Sequence, residues 1–471
     1  MRTATLTLLT LLGLVAGSYY GQLVLFDPQS PIDTKHWTFV AGDLLLIRPL
    51  VLLTPPLTVA CIVVAGGRTK AASRFGLALG ATLAWFAIMM IVSVSLGAAA
   101  ATLLRAGDIA PEARGALIGA SAARFESTPE VAQGVQAIIN NHQNTLAGAS
   151  LAIVRRVLPD NLISDLGAGR LLGLIVLALL IGLGLASIGE RGSAALVVIE
   201  ALQAALLRAA RWISWIAPLG IFLLVANAVG SVGLEGVRGT MERFCLTVVV
   251  AFGAHAIILL PLALLIFGRC NPIAYAWRAM RALGVALGSA SSIVALPVAL
   301  DSVIDDPGSP SRRNGRPSRS ACSKAAASLV LPLGASLNLN GTAIFQAAAV
   351  VFLCQAHGVA LETSDLVVIA ITAAIAALST AGVPAAGLGT LIIVITAVNT
   401  SLAGRGVEPL PASAIGMLIA VDRVLDMCRT AVNVWGNLVG ARVISAIAPD
   451  EMGVTNDELR MANAGAASRP I

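Results

Sequence analysis

Charge is scarce in this 471-residue chain: Asp, Glu, Lys and Arg make up 12% of it, against 57% hydrophobic residues and a mean hydropathy of +0.87. Soluble domains hold nearer about 45–50% apolar residues, so a soluble fold is excluded and a multi-pass membrane protein is expected. Cysteine is also sparse. The six cysteines, at 61, 245, 270, 322, 354 and 428, lie mostly within apolar runs and show no CxxC spacing, so neither a disulfide frame nor a zinc site is indicated and they read as small core residues. The four histidines, His36, His142, His255 and His357, are scattered. Only His255 falls in an apolar run, where packing with a hydrogen bond is a better reading than a proton relay. No metal site emerges. HExxH, GxSxG and GxxxxGK[ST] are all missing, and the serine-rich stretch at Ser291 has no histidine partner, so the chain is not expected to be an enzyme.

What the chain does have is apolar length. Runs long enough to span a bilayer, about 20 residues each, lie near 4–26, 40–66, 75–104, 170–188, 195–230, 245–268, 326–355, 366–400 and 411–447. Several exceed one crossing and are broken by Gly and Pro, which suggests hairpins that enter and leave on one side. The net charge of +6 comes from arginines and lysines in the short loops. Arg68, Lys70 and Arg74 mark one such loop, Arg269, Arg278 and Arg281 a second, and Arg312, Arg313, Arg316, Arg319 and Lys324 a third. The positive-inside rule puts these on the cytoplasmic face, with the N-terminus, so the basic balance reflects topology and not a nucleic-acid partner. The apolar stretch after Met1-Arg2 runs on past Ala16 to Phe26, longer than a signal peptide core, and reads as a first span. The stretch 305–324, DDPGSPSRRNGRPSRSACSK, reads as a solvated linker, and the small polar tail 448–471 as disordered and cytoplasmic.

The densest chemistry lies in residues 422–437, DRVLDMCRTAVNVWGN. At roughly 100° per residue, Asp422, Asp426, Arg429, Asn433 and Asn437 fall within about 80° of one another on a helix. Charges at bilayer depth cost about 2.5–3.5 kcal/mol each on insertion scales, so a stripe of them is functional by default. Asp426 and Arg429 are one turn apart and could also simply pair, which alone says little about function. The C-terminal half carries a weak internal echo as well. LGSASSIVALP at 287–297 precedes a run with NLNGT at 338–342, and LSTAGVPAAGLG at 378–389 precedes one with DMCRT at 426–430. A helix broken at membrane depth frees backbone N–H and C=O groups, so paired breaks ahead of polar spans point to a transporter binding site.

On these motifs the chain resembles the dicarboxylate/amino acid:cation symporter family of glutamate and aspartate transporters. RVLPDNLISDLGAGRLLGLIVLALLIGLGLA (156–186), WIAPLGIFLLVANAVG (215–230), VLPLGASLNLNGTAIFQ, STAGVPAAGLG and DMCRTAVNVWGN extend the likeness over most of residues 40–447, in order. The resemblance implies an all-α polytopic fold of eight transmembrane helices plus two re-entrant hairpins with inverted repeats, in the cytoplasmic (inner) membrane. It also implies a homotrimer whose transport domains slide by an elevator motion. Scaffold spans 1–2 would occupy 1–66 and spans 4–5 would occupy 148–230, with an external loop at 106–147. The mobile part would comprise span 3 (75–105), span 6 (237–268), hairpin 1 (272–303), span 7 (325–355), hairpin 2 (363–402) and span 8 (410–447), with 305–324 as the cytoplasmic linker. Carried over by motif, Arg429 grips a substrate side-chain carboxylate, and Asp426 receives its amino group. Thr342 lies near that carboxylate and Asn433 orders the main-chain one. Ser291, Ser292, Asn338, Gly382, Val383, Pro384 and Thr430 complete the expected binding set. The implied substrate is an acidic amino acid, with a C4-dicarboxylate as the alternative. A non-transporting sensor or an anion channel on the same scaffold is the rival from another class.

The departures concern the coupling ion. The family's sodium sites use an Asp in the span 7 motif, another Asp three residues after the span 8 Asn-Val, and span 3 hydroxyls. This chain has Asn340, Asn437, and Met89 with Met90 at those places, and Leu339 where the motif has Met. Loss of two anionic ligands weakens the attraction for Na⁺, though a carbonyl site near Thr380 could survive. Proton coupling is therefore expected, with Asp422 or Asp426 as carrier, because desolvation favours the neutral form of a carboxyl. Asn338, Asn340, Asn433 and Asn437 remain the candidate ligands of a coupling cation. No cofactor is expected beyond H⁺ or Na⁺. Asp43, Arg48 and Glu200 read as scaffold residues.

Overall fold

The computed structural model describes residues 2–27, 30, 32–33, 35–68, 72–167, 170–233, 240–304, 321–380 and 386–447. Gly382, Val383 and Pro384, residues 305–320 of the expected linker and the 448–471 tail lie outside the described residues. Among the described residues the chain is helical, with no strand. A parallel bridge joins Ile304 to Cys322.

Helix α1 (Arg2–Tyr20) runs on through a π-helical turn at Gly21–Leu25. Next, α2 (Trp37–Gly42), a second π turn at Asp43–Ile47 and α3 (Arg48–Gly67) form one apolar rod, followed by α4 (Ala72–Leu103). Arg48 Nε donates to Asp43 Oδ2 at 2.6 Å, the five-residue reach of that turn. Shorter helices follow: α5 (Pro111–Glu126), α6 (Pro129–Asn140), α7 (Leu146–Val157) and α8 (Leu162–Gly167). The stretch expected as a loop at 106–147 is thus largely helical. Pro111 and Pro129 stand at first helical positions, where proline is pre-organised and its missing N–H costs nothing.

Then come α9 (Leu172–Ser187), α10 (Glu190–Ile213), α11 (Ala217–Val232) and α12 (Thr240–Gly253), which continues through a π turn at Ala254–Leu259 into α13 (Leu260–Ile266). Arg68 clasps Glu200 through two hydrogen bonds of 2.7 and 2.8 Å and fastens the end of α3 to α10. Glu200 thus joins two helices, whereas Asp43 and Arg48 pair within one rod.

α14 (Pro272–Ser289) and α15 (Ser292–Val303) pack on each other as a first helical hairpin, and α18 (Thr363–Ser379) and α19 (Ala386–Ala403) as a second. Between them in sequence, α16 (Lys324–Leu337) and α17 (Asn340–Ala356) form one span interrupted at Asn338–Leu339. The chain's last described helix is α20 (Gly416–Ile447). The fully buried Asp365 accepts from Arg405 Nη2 at 2.6 Å, Ser401 Oγ at 2.7 Å and Glu362 N at 2.8 Å, which ties the base of the second hairpin. Among the described residues six stretches are long and apolar enough to cross a bilayer. α20 has the length, but its polar stripe sets it apart.

Two hydrophobic cores result. One joins α3, α9–α11, the first hairpin, α16 and the end of α20 around Tyr275, Leu57, Ile221 and Leu438. The other joins α4, α12, α17, the second hairpin and the start of α20 around Phe244, Phe345, Phe352 and Leu418. α20 passes from one to the other, and Asp426, Arg429 and Asn433 lie where the two meet. α5 to α7 lie over the outside of the second core: α5 packs on α20, α6 on α19 and α7 on α18. Ser121 Oγ of α5 donates to the Ser413 carbonyl at 2.7 Å.

Candidate functional site

The break between α16 and α17 follows from Asn338 and Leu339, which leave helical geometry at φ −114° and −96° with ψ 68° and 60°. The first N–H groups of α17 then have no intrahelical acceptor. Asn433 of α20 supplies one: its Oδ1 accepts from Gly341 N at 2.7 Å and from Thr342 N at 3.2 Å, and its Nδ2 donates to Thr342 Oγ1 at 3.2 Å. The broken span and the polar stripe are thus one unit, locked by a side-chain cap.

The tip of the first hairpin meets them. Ala290 adopts left-handed geometry at φ 49°, which costs a residue with a Cβ about 1–2 kcal/mol. That turn allows Ser291 to cap α15 by accepting from Val294 N at 3.3 Å, and Ala290 and Ser292 line the same small cavity as Thr342 and Asn433. The first turn of α15, the positive end of its dipole, therefore borders the cavity. Thr380 and Gly387 border it from the second hairpin.

Arg429 is the cavity's cation and is 2% exposed. Its Nε and Nη2 donate to Asp426 Oδ1 at 3.1 and 2.5 Å, and its guanidinium stacks 4.7 Å from the Phe345 ring centre. Asp422 stands 3.8 Å from Nη1, too far to bond, so Arg429 Nη1 and Asp422 Oδ1 are both buried with no hydrogen bond among the described residues. Two carboxylates flank one guanidinium, and the guanidinium keeps one donor edge open. The cavity measures about 10 Å³, room for about one water. A larger guest has to displace the Arg429–Asp426 contact or move the second hairpin.

Of the expected binding residues, Ser292, Thr342, Asp426, Arg429, Thr430 and Asn433 line this cavity together, and Ser291 stands next to it as a helix cap. Asn338, Asn340 and Asn437 form a separate amide cluster between α16, α17 and α20. Asn338 Nδ2 donates to Asn437 Oδ1 at 2.8 Å. Asn338 Oδ1 and both polar atoms of Asn340 are fully buried without a hydrogen bond among the described residues. Met90 is buried and Met89 partly so; on the same helix, the fully buried Ser93 hydroxyl has no partner among the described residues. His255 is fully buried, and neither ring nitrogen has a hydrogen bond among the described residues, unlike the hydrogen-bonded packing role expected for it.

Three further participants, Gln346, Gly387 and Arg156, lie inside quoted motifs but are not among the expected site residues. Gln346, one turn past Thr342, donates to Thr390 Oγ1 at 2.7 Å, and Thr390 and Thr380 hydroxyls are 2.8 Å apart. That network sits behind the cavity wall. Gly387 presses on Arg429, since a Cβ there would fall 2.5 Å from Nη1. Arg156 of α7 donates through Nη1 to the Leu378 carbonyl at 2.5 Å and through Nη2 to that of Thr380 at 3.3 Å. A side chain long in sequence from the second hairpin thus satisfies the last carbonyls of α18.

A multi-pass membrane protein with a broken span, two helical hairpins and a buried, charged cavity between their tips has the construction of a helical transporter. The sequence model of the sodium:dicarboxylate symporter family matches residues 6–447, and the chain belongs to that family, which is made of transporters. Excitatory amino acid transporter 1 of Bos taurus is 30% identical over 293 residues, 62% of this chain and 49% of the relative. The Homo sapiens protein of that name is 29% identical over the same span. The matched stretch therefore covers about half the length of those relatives. Neutral amino acid transporter B(0) of Oryctolagus cuniculus is 28% identical over 475 residues, 94% of this chain and 80% of the relative.

Proposed function

We propose that this chain is a secondary active symporter that imports an acidic amino acid, aspartate or glutamate, driven by protons. The observation that carries this reading is the open donor edge of Arg429 in a buried cavity that also holds Asp426, Thr342 and the start of α15. A planar guanidinium suits a carboxylate bidentately, and a carboxylate one turn away suits an ammonium. That pairing favours an amino acid over a C4-dicarboxylate. The relatives named for excitatory and neutral amino acids fit an amino-acid substrate. By the family likeness the protein works as a homotrimer in the inner membrane with an elevator motion, the second hairpin acting as gate.

Proton coupling rests on charge. The guanidiniums of Arg429 and Arg423 both act on Asp422 and Asp426, so these four groups balance, and an acidic amino acid brings a negative charge in excess. A proton on one carboxylate removes the repulsion, so substrate and proton favour each other's binding. Asp422 is the better carrier, since its Oδ1 has no hydrogen bond among the described residues whereas Asp426 is held by Arg429. The amides of Asn338, Asn340 and Asn437 offer a cation oxygens but no charge. The spare Asn338 and Asn340 oxygens favour Na⁺ coupling as the second reading.

Counterflow of labelled L-aspartate in proteoliposomes, with pH and Na⁺ gradients imposed separately, tests the proposal. Accumulation is expected with the pH gradient. Accumulation with Na⁺ alone selects the second reading, and no saturable exchange under either gradient removes aspartate as the substrate. Gly387→Ala provides a finer probe. The new Cβ would lie 2.5, 2.8 and 2.9 Å from Arg429 Nη1, Cζ and Nη2, and Asp426 and Phe345 restrict where the guanidinium can go. Displacing one charge-assisted bond costs about 1.5–3 kcal/mol, so aspartate affinity should fall about tenfold or more in a protein that still elutes as one folded species. Unchanged affinity would separate Arg429 from recognition.

A further inference from the structure

A larger cavity, about 370 Å³, lies between α6–α8 and the second hairpin. That volume is at the lower end of the about 300–1,000 Å³ of small-molecule sites. It shares a wall with the Arg429 cavity: Thr390 lines the large one, Thr380 the small one, and their hydroxyls are 2.8 Å apart.

The charges in the large cavity do not balance. Arg156 is 8% exposed, and its guanidinium is met only by the Leu378 and Thr380 carbonyls, with Nε lacking any partner among the described residues. Arg155 beside it is exposed and lines the same space. Neither forms an ion pair among the described residues. Arg170 is taken by Asp165 at 3.5 Å. Asp165 acts on Arg156 as well, so Asp160 and Asp165 stand against the guanidiniums of Arg155, Arg156 and Arg170, and one positive charge is left over. A buried cation whose one counter-charge is shared is costly, and carbonyl dipoles offset only part of that. Asn161 adds a donor: its Oδ1 is used by Ile163 N at 3.0 Å and Ser164 N at 3.1 Å, which leaves its amide N–H groups for a guest.

We propose that this cavity is a second binding site, for a small carboxylate, held by Arg155, Arg156 and the Asn161 amide. A carboxylate there competes with the Leu378 and Thr380 carbonyls for Arg156. Occupancy therefore frees the end of α18 and is felt through Thr380 at the inner cavity. The assignment does not depend on what Arg429 binds.

Equilibrium binding of labelled succinate to the purified full chain tests it in an Arg429→Lys background, which removes the planar fork of the inner cavity and keeps the charge that Asp426 needs. One saturable site is expected to remain. Arg155→Glu in that background should weaken it about tenfold or more, the scale of one charge-assisted bond, and Arg155→Gln should weaken it as well without reversing charge. Three results would overturn the proposal: no saturable succinate binding in the Arg429→Lys protein, affinity unaltered by both Arg155 variants, or displacement of succinate by sodium chloride at equal concentration. The last would make the cavity an inorganic-anion site.

Discussion

Arg429→Ala is expected to remove most uptake of acidic amino acids, lowering kcat/KM for L-aspartate by at least about 30-fold. The reasoning starts from burial. Arg429 is 2% exposed, so its guanidinium meets a substrate carboxylate away from water. Truncating one member of such a charge pair costs about 2–5 kcal/mol, and 1.4 kcal/mol is tenfold. The loss is compounded because Asp422 and Asp426 then face each other and the anionic substrate with Arg423 alone to offset them. Removing the cation also threatens the fold, since a buried carboxylate left unpaired is destabilising by about 3–5 kcal/mol. Arg429→Lys separates the two effects. It keeps the charge for Asp426 but lacks the planar fork, so it should remain folded, judged by its size-exclusion profile and thermal melting, and still lose most aspartate uptake. Wild-type uptake by a folded Arg429→Ala protein would refute the assignment of Arg429 to substrate.

The core of this site was legible in sequence because α20 carries it at helical spacing. Asp422, Asp426, Arg429, Asn433 and Asn437 repeat every three or four residues in an apolar background, and only such a background makes a charge conspicuous. The break at NLNGT was legible for a related reason, as polar residues with Gly in an otherwise apolar run mark where a helix is cheap to interrupt. What was not legible depends on residues distant in sequence meeting in space. Arg156 reaches the end of α18 across 222 positions, and nothing local distinguishes it from a loop arginine. Gly387 matters through the lack of a side chain, which only the neighbouring guanidinium reveals. The stretch 106–147 lacks the apolar length of a span, so it reads as a loop. Its helices instead take their support from α18, α19 and α20, a tertiary contribution that no local propensity records.

The pH dependence of substrate affinity should identify the carrier. If one carboxylate must be protonated before an anionic substrate is accepted, L-aspartate binding to the wild-type protein tightens as pH falls. The coupling between sites typically amounts to about 5–150-fold. The sign follows from charge: Arg423 and Arg429 balance Asp422 and Asp426, so a proton cancels the excess negative charge that the substrate brings, and its loss at higher pH restores the repulsion. Asp422→Asn fixes that position in its neutral form while preserving shape. Its aspartate affinity should be high and independent of pH. Counterflow should persist, because exchange requires binding and movement but no net proton transfer, whereas accumulation driven by a pH gradient should disappear. Asp426→Asn differs, because it also removes the partner of Arg429 and of the substrate ammonium, and it should lose binding at every pH. A variant Asp422→Asn that still accumulates aspartate down a proton gradient would move the proton to another group, and the amide cluster of Asn338, Asn340 and Asn437 could not be that group, since carboxamides do not titrate in this range.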